Sequence, residues 1–243
     1  MARLRVLTAA SRPARAARET VLVIFAYLAY FGVRGLTEGN YDLAIDNAGA
    51  IVHLEKALGF FWEPAIQRLI LDQKWVVRAA NEVYIFGHWP VIATVAVWLF
   101  MRRPRTYSLL RNAFFISGAI GIIVFATFPV APPRLAGIGL VDTITLHSNS
   151  YRVLQPPAFV NQYAAVPSLH FGWNLLIGIA LFTQSPRVVM RAFGAVVPLM
   201  MASAIVLTAN HYVFDAVAGA VVALAGLAVA YMLQRRALGT LGH

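Results

Sequence analysis

The chain of 243 residues has no cysteine. That excludes a disulfide framework and any thiolate metal site. Charge is also scarce: 12% of the residues are Asp, Glu, Lys or Arg, about half the share in soluble domains. Acids are scarcest, with ten Asp and Glu against twenty Lys and Arg. With 60% hydrophobic residues and a mean hydropathy of +0.69, disorder is excluded and an integral membrane protein is the expectation. No internal repeat, low-complexity tract or linker interrupts the chain. Its length allows one bundle without a sizeable soluble domain beside it.

A membrane span needs about 20 mostly apolar residues. Six stretches are predicted to cross: residues 20–33, 76–101, 112–130, 168–184, 188–209 and 211–233. Pro90 and Pro198 fall inside the second and fifth and should kink them. Between the first and second spans, residues 41–74 carry Ala44, Ala48, Ile51, Leu54 and Leu58 at helical spacing, then Trp62, Ala65, Ile66, Leu69 and Ile70 after Pro64. Glu55, Glu63, Gln67 and Arg68 fall on other faces. This pattern predicts two short amphipathic helices lying at the interface. The expected fold is therefore all-α: an integral membrane bundle of six transmembrane helices. It would comprise a basic cytoplasmic segment (1–19), a single membrane domain (20–236) and a short cytoplasmic tail (237–243).

Arginine sets the orientation. With an inside N-terminus, thirteen arginines face the cytoplasm against one acid, Glu19, while the other side holds seven basic residues and nine acids. This asymmetry places both termini inside. It also accounts for the net charge of +10 through anionic lipid headgroups, without nucleic acid. The bulky residues of the first apolar run, and the lack of a small-x-small site, favour a retained anchor over a cleaved signal peptide.

Polar residues in or beside spans are costly to bury and therefore informative. Three clusters stand out. FPVAPPRL (128–135) ends the third span, and its Arg134 is suited to a phosphate or, equally, to anchoring at lipid headgroups. AAVPSLHFGW (164–173) opens the fourth span, with Pro167 in the first turn, Ser168 and His170 beside it, and a helix N-terminus suited to an anion. It also reads as a simple capping turn. NHYVFDAVAG (210–219) opens the sixth span. There His211 and Asp215, four apart, share a helical face, either as an oriented base or nucleophile or as polar glue between helices. His170 and His211 are 41 residues apart, one descent and one ascent of about 20 residues each. All three clusters thus return to one membrane face. No acidic cluster or H-E-x-x-H spacing suggests a metal, and no cofactor is called for. The inventory fits phosphoryl transfer by a histidine nucleophile. A weaker set in the second span, Asn81, Tyr84 and His88, either binds an acceptor or headgroup or makes interhelical hydrogen bonds. His53, His147 and His243 are given no role.

PSLH followed by H-Y-x-x-D-x-x-A-G resembles the phosphatidic acid phosphatase type 2 superfamily of membrane lipid phosphatases and phosphotransferases. APPR, AAVPSLH and the N-x-x-Y-x-x-x-H of the second span resemble its inositol phosphorylceramide synthase-like branch. The likeness covers about residues 41–235. It implies that His211 attacks phosphorus, Asp215 orients it, and His170 protonates the leaving oxygen and then activates water or an acceptor alcohol. It further implies that Arg134 and Ser168 hold the phosphoryl oxygens. Thr127, Ile205 and Leu169 depart from the common pattern, which has Lys, Arg and Gly there. The loss of two cations favours the synthase-like branch over plain phosphatase activity. The expected substrate is a phospholipid or polyprenyl phosphate at the outer leaflet. Headgroup transfer of the inositolphosphotransferase type is expected; hydrolysis of phosphatidic acid or of a polyprenyl phosphate or diphosphate is the alternative. A proton-coupled transporter would spread its polar residues through the membrane depth, whereas here they gather at one end. The Arg, Ala and Val bias suggests a GC-rich bacterium, and with it a plasma-membrane location with the site facing outward. The oligomeric state is not legible.

Overall fold

The computed structural model describes residues 12–36, 41–147 and 161–239. The outermost parts of the expected basic N-terminus and tail, residues 1–11 and 240–243, lie outside them. The described residues form ten α-helices and no strand. In chain order these are α1 (Arg12–Leu36), α2 (Tyr41–Leu58), α3 (Glu63–Arg68), α4 (Lys74–Phe86), α5 (Trp89–Arg102), α6 (Pro104–Thr127), α7 (Thr143–His147), α8 (Leu169–Gln184), α9 (Val188–Leu207) and α10 (Val213–Gly239).

An all-α solution follows from the composition. Apolar runs without water to satisfy their backbone must bond internally, and a helix does so within one segment. The all-α membrane bundle of the sequence reading is what forms. Large side chains such as Val188, Leu199, Val217 and Val221 point outward, a surface that suits lipid rather than water. Three helices, α6, α9 and α10, are each long and apolar enough to cross a membrane, and α4 with α5 makes a fourth if counted as one bent span. The sixteen residues of α8 fall short of the usual ~20. In α1 the apolar run is flanked by Arg12, Arg15, Arg18, Glu19 and Arg34. Length and composition of the helices therefore do not by themselves reproduce six spans.

The expected second span is broken rather than merely kinked. α4 and α5 are bent by 44°, and the break falls at Gly87 and His88, just before Pro90. Pro90 thus occupies the first turn of α5, where its missing N–H has no partner to lose. In α9, by contrast, the helix continues through Pro198.

α8 is the central element. It packs against α9 and α10, and α10 packs in turn along α6. Leu99, Leu176, Ile177, Leu181 and Ala223 form the main apolar core between them. Glycines let these helices meet backbone to backbone, as is usual where lipid gives no hydrophobic drive to association. A Cβ on Gly194 of α9 would lie 2.8 Å from Gly178 O of α8, and one on Gly219 of α10 would lie 2.2 Å from Ser168 O. The second contact fixes the start of α8 against the first turns of α10.

Helices α2 and α3 do not bury the face the sequence suggested. Ala44, Ala48 and Ile51 are buried, but so are Glu55, Glu63 and Gln67, while Leu54, Leu58 and Leu69 are exposed. The buried stripe is rotated toward the polar residues because these have partners inside the bundle.

Candidate active site

Main-chain hydrogen bonds tie the three polar clusters together. Val130 N–H donates to Tyr163 O at 2.7 Å and Ala165 N–H to Val130 O at 3.3 Å, joining the first cluster to the second. Arg134 N–H donates to Ala209 O at 3.0 Å, joining the first to the residue immediately before the third. Ser168 N–H donates to Asp215 O at 3.0 Å, joining the second to the third. Apart from Asp215, which lies in the first turn of α10, these residues fall after α6 has ended or before α8 and α10 begin, and lack regular partners of their own. Their backbone groups must be satisfied somewhere, and they satisfy one another.

A cleft of about 60 Å³ results, lined by Tyr84, His88, Arg134, His170, Asn210 and His211 among others. The rings of His170 and His211 lie 5.9 Å apart, centroid to centroid. Tyr84 stacks on His170 at 4.6 Å and His88 meets it at 4.4 Å. His170 is thus in contact with two rings, with the ring of His211 at the larger distance.

His211 and Asp215 pair as expected, though not along a helix face. α10 begins at Val213, so His211 precedes it. Asp215 Oδ2 accepts from Tyr212 N–H at 2.9 Å and lies 3.2 Å from His211 Nδ1. Nδ1 is also 2.9 Å from Ala165 O. A carbonyl and a carboxylate can only accept, so Nδ1 carries the proton and Nε2 keeps its lone pair. At His88 the assignment is reversed. Asn174 Nδ2 donates to His170 O at 2.8 Å and sits 3.0 Å from His88 Nδ1, so Nδ1 accepts and the proton is on Nε2.

Ser168 differs from the expectation. It is fully buried and is the N-cap of α8, its Oγ accepting from Phe171 N–H at 3.4 Å. Pro167 precedes the cap rather than starting the helix. The N-terminal end of α8 still borders the cleft through Pro167, Leu169 and His170, bringing its positive dipole end there. Asn81 is not at the cleft. It is buried in a two-way hydrogen bond with Thr143 at 2.9 Å, clamping α7 to α4. Of the weaker set, Tyr84 and His88 reach the cleft and Asn81 does not. Arg134 lines it too, and its Nε lies 3.3 Å from Asp142 Oδ2. Among the described residues, no three His, Asp or Glu side chains gather as metal ligands.

Glu55 and Glu63 were not legible as part of the site. Both are fully buried. Val213 N–H donates to Glu63 Oε1 at 2.7 Å and Phe214 N–H to Glu55 Oε1 at 2.8 Å. Three successive amides at the head of α10, those of Tyr212, Val213 and Phe214, therefore each meet a carboxylate. The first turn of a helix leaves such N–H groups without intrahelical partners and favours negative charge. α2 and α3 thus fasten the segment that carries His211. Burial, followed by the nearby Glu63, pushes the Glu55 carboxyl up to about 8. Gln67 adds a bidentate hold on Val141, donating to its carbonyl at 2.8 Å and accepting from its N–H at 2.9 Å. That positions the neighbouring Asp142.

The sequence profile of the PAP2 superfamily matches residues 49–229. The chain belongs to the PAP2 superfamily. At that level it is a membrane enzyme of the lipid phosphatase type. No curated protein matches the chain in sequence. In structure it is similar to the crystal structure of LpxE from Aquifex aeolicus, at 16% identity and a TM-score of 0.50, over 69% of this chain and 93% of that one. At that identity the likeness speaks for the PAP2 fold alone.

Proposed function

We propose that this PAP2 protein cleaves a lipid phosphodiester through a phosphohistidine at His211 and passes the phosphoryl-linked headgroup to an acceptor alcohol. The observation that supports the reading most directly is the pair of acceptors at His211 Nδ1, which leaves Nε2 as a nucleophile. Nε2 attacks phosphorus; the N–P bond forms as the P–O bond to the leaving group breaks. His170, 5.9 Å away ring to ring, gives that oxygen its proton. In the second half His170 takes the proton of the acceptor hydroxyl, whose oxygen attacks phosphorus and releases His211. General acid–base help of this kind is worth about 10²–10⁴-fold. Asp215 holds the imidazolium that forms. Arg134 and the start of α8 stabilise the phosphoryl oxygens.

Charge favours a diester. Among the described residues Arg134 is the one Arg or Lys lining the cleft, and Asp142 lies against it. Position 205, where the superfamily pattern often has Arg, is a fully buried Ile, and position 127 is Thr. A monoester dianion calls for more positive charge than this; a diester monoanion does not. We further read α1 and α8 as completing six spans, both termini as cytoplasmic, and the cleft as facing outward in a bacterial plasma membrane.

The test is a panel of labelled lipids, including phosphatidylinositol, phosphatidic acid and a polyprenyl phosphate, with and without diacylglycerol or ceramide acceptors. A new phosphodiester lipid that requires the acceptor is the expected result. Free phosphate from the monoesters alone would favour hydrolysis, and solute flux in liposomes without lipid turnover would overturn the enzyme reading.

A further inference from the structure

A second cavity, of about 350 Å³, lies between α1, α5, α6 and α8. Its wall is apolar or aromatic except at Arg111, the one charged residue lining it among those described. Arg111 is itself ion-paired with Glu19 and bonded through Nη2 to Asn112 Oδ1 at 2.9 Å. Tyr30, Trp89 and Trp173 line both this cavity and the histidine cleft. The two spaces therefore lie on either side of a shared aromatic collar of side chains. From there the larger one follows α6 from Ile122 to Tyr107, about 22 Å at the helical rise, toward the Arg111–Glu19 pair.

We infer that this cavity seats one hydrocarbon chain of the lipid whose phosphate occupies the histidine cleft, with the Arg111–Glu19 pair as its floor. This rests on the proposed lipid-phosphate activity and adds to it a single-chain subsite of limited depth. Apolar cavities stay dry and take apolar guests, and one of about 150 Å³ holds a six-carbon ring. On that scale the present cavity takes on the order of a dozen carbons, one chain and not two. Adjacency to the cleft selects the occupant: a chain tethered to a phosphate at His211 is presented to the collar at high effective concentration. The chain comes from lipid, so its burial gains little transfer free energy. What the seat supplies is register, holding phosphorus at the right depth for Nε2.

Two cavity-filling variants on different helices, Ala26→Phe and Ala96→Phe, test this against a series of alkyl phosphoesters of increasing chain length. Neither residue belongs to the catalytic set. Each variant should lower kcat/KM for long chains by about tenfold or more, and leave chains too short to pass the collar within about twofold, as loss of register requires. An equal fall at every length, or no fall, overturns the subsite. A non-hydrolysable alkyl phosphonate with a mid-chain diazirine gives a readout independent of turnover. Label should map to cavity residues of α1 and α6; label only on outward-facing Leu199, Val217 or Val221 means bulk lipid and overturns the inference. Cavity labelling in a protein that turns over no lipid would instead refute the enzymatic reading and leave the chain site standing.

Discussion

Gly219→Ala isolates the geometry on which catalysis is built. By helix propensity alone the change in α10 should stabilise, by up to about 1 kcal/mol. The packing opposes it. The new Cβ would stand 2.2 Å from Ser168 O, 2.9 Å from Ser168 C and 3.2 Å from Ser168 N. All three are backbone atoms, so no rotamer relieves the clash. The head of α8 must withdraw from α10 by about 1 Å, and overpacking of this kind costs about 1–3 kcal/mol. That displacement lengthens the Ser168 N–H to Asp215 O bond, now 3.0 Å, and moves His170 away from His211. A misplacement of about 1 Å can lower turnover about 10²-fold. The assay is kcat on the preferred lipid in detergent, with thermal unfolding measured on the same preparation. Gly49→Ala in α2, where a Cβ meets nothing within 4 Å, is the control and should keep full activity. A Gly219→Ala protein with unchanged kcat would refute the claim that the α8–α10 contact sets the distance between the two histidines.

Two other outcomes follow from the surrounding charges. Glu55 has its carboxyl raised to about 8 by burial and by Glu63, so between the ordinary glutamate value and about 8 the folded state binds more protons than the unfolded one. Stability contributed by this group is therefore complete at low pH and lost as pH rises toward 8; Glu55→Gln should flatten that part of a melting-temperature profile while keeping an acceptor for Phe214 N–H. Removing the counter-charge from Arg134 by Asp142→Asn should raise kcat/KM for monoesters relative to diesters by about tenfold, a charge-assisted bond being freed for the substrate; an unchanged ratio would mean that Arg134 does not discriminate substrate charge.

Much of this architecture is written in local pattern. The apolar runs mark the helices, and the three polar clusters fall at helix ends. Such ends are where backbone groups lack partners, so the clusters meet through main-chain bonds. What stayed hidden depends on partners far along the chain. Glu55 and Glu63 read as the wet face of amphipathic helices because hydropathy cannot register amides at 213 and 214 that accept their burial. Ser168 sits beside His170 in sequence, but capping of α8 turns its Oγ onto Phe171 N–H. Asn81, Tyr84 and His88 fit one helical face only while the span is continuous. The helix breaks at Gly87, yet Tyr84 and His88 both still meet His170, while Thr143 takes Asn81. The count of spans is harder still, because α8 owes its stability to burial between α9 and α10 rather than to length.

The central claim is that His211 Nε2 bonds covalently to phosphorus during turnover. Mass spectrometry of the His170→Ala protein, quenched in alkali after brief exposure to a diester donor whose leaving group departs without a proton, such as a nitrophenyl ester, tests it most directly, since only the second step then lacks its acid–base group and the intermediate waits for its acceptor. The account predicts a phosphoryl-headgroup adduct on the peptide containing His211 and none when His211 is also replaced by Ala. An adduct on another residue, or steady turnover by His211→Ala, would contradict it.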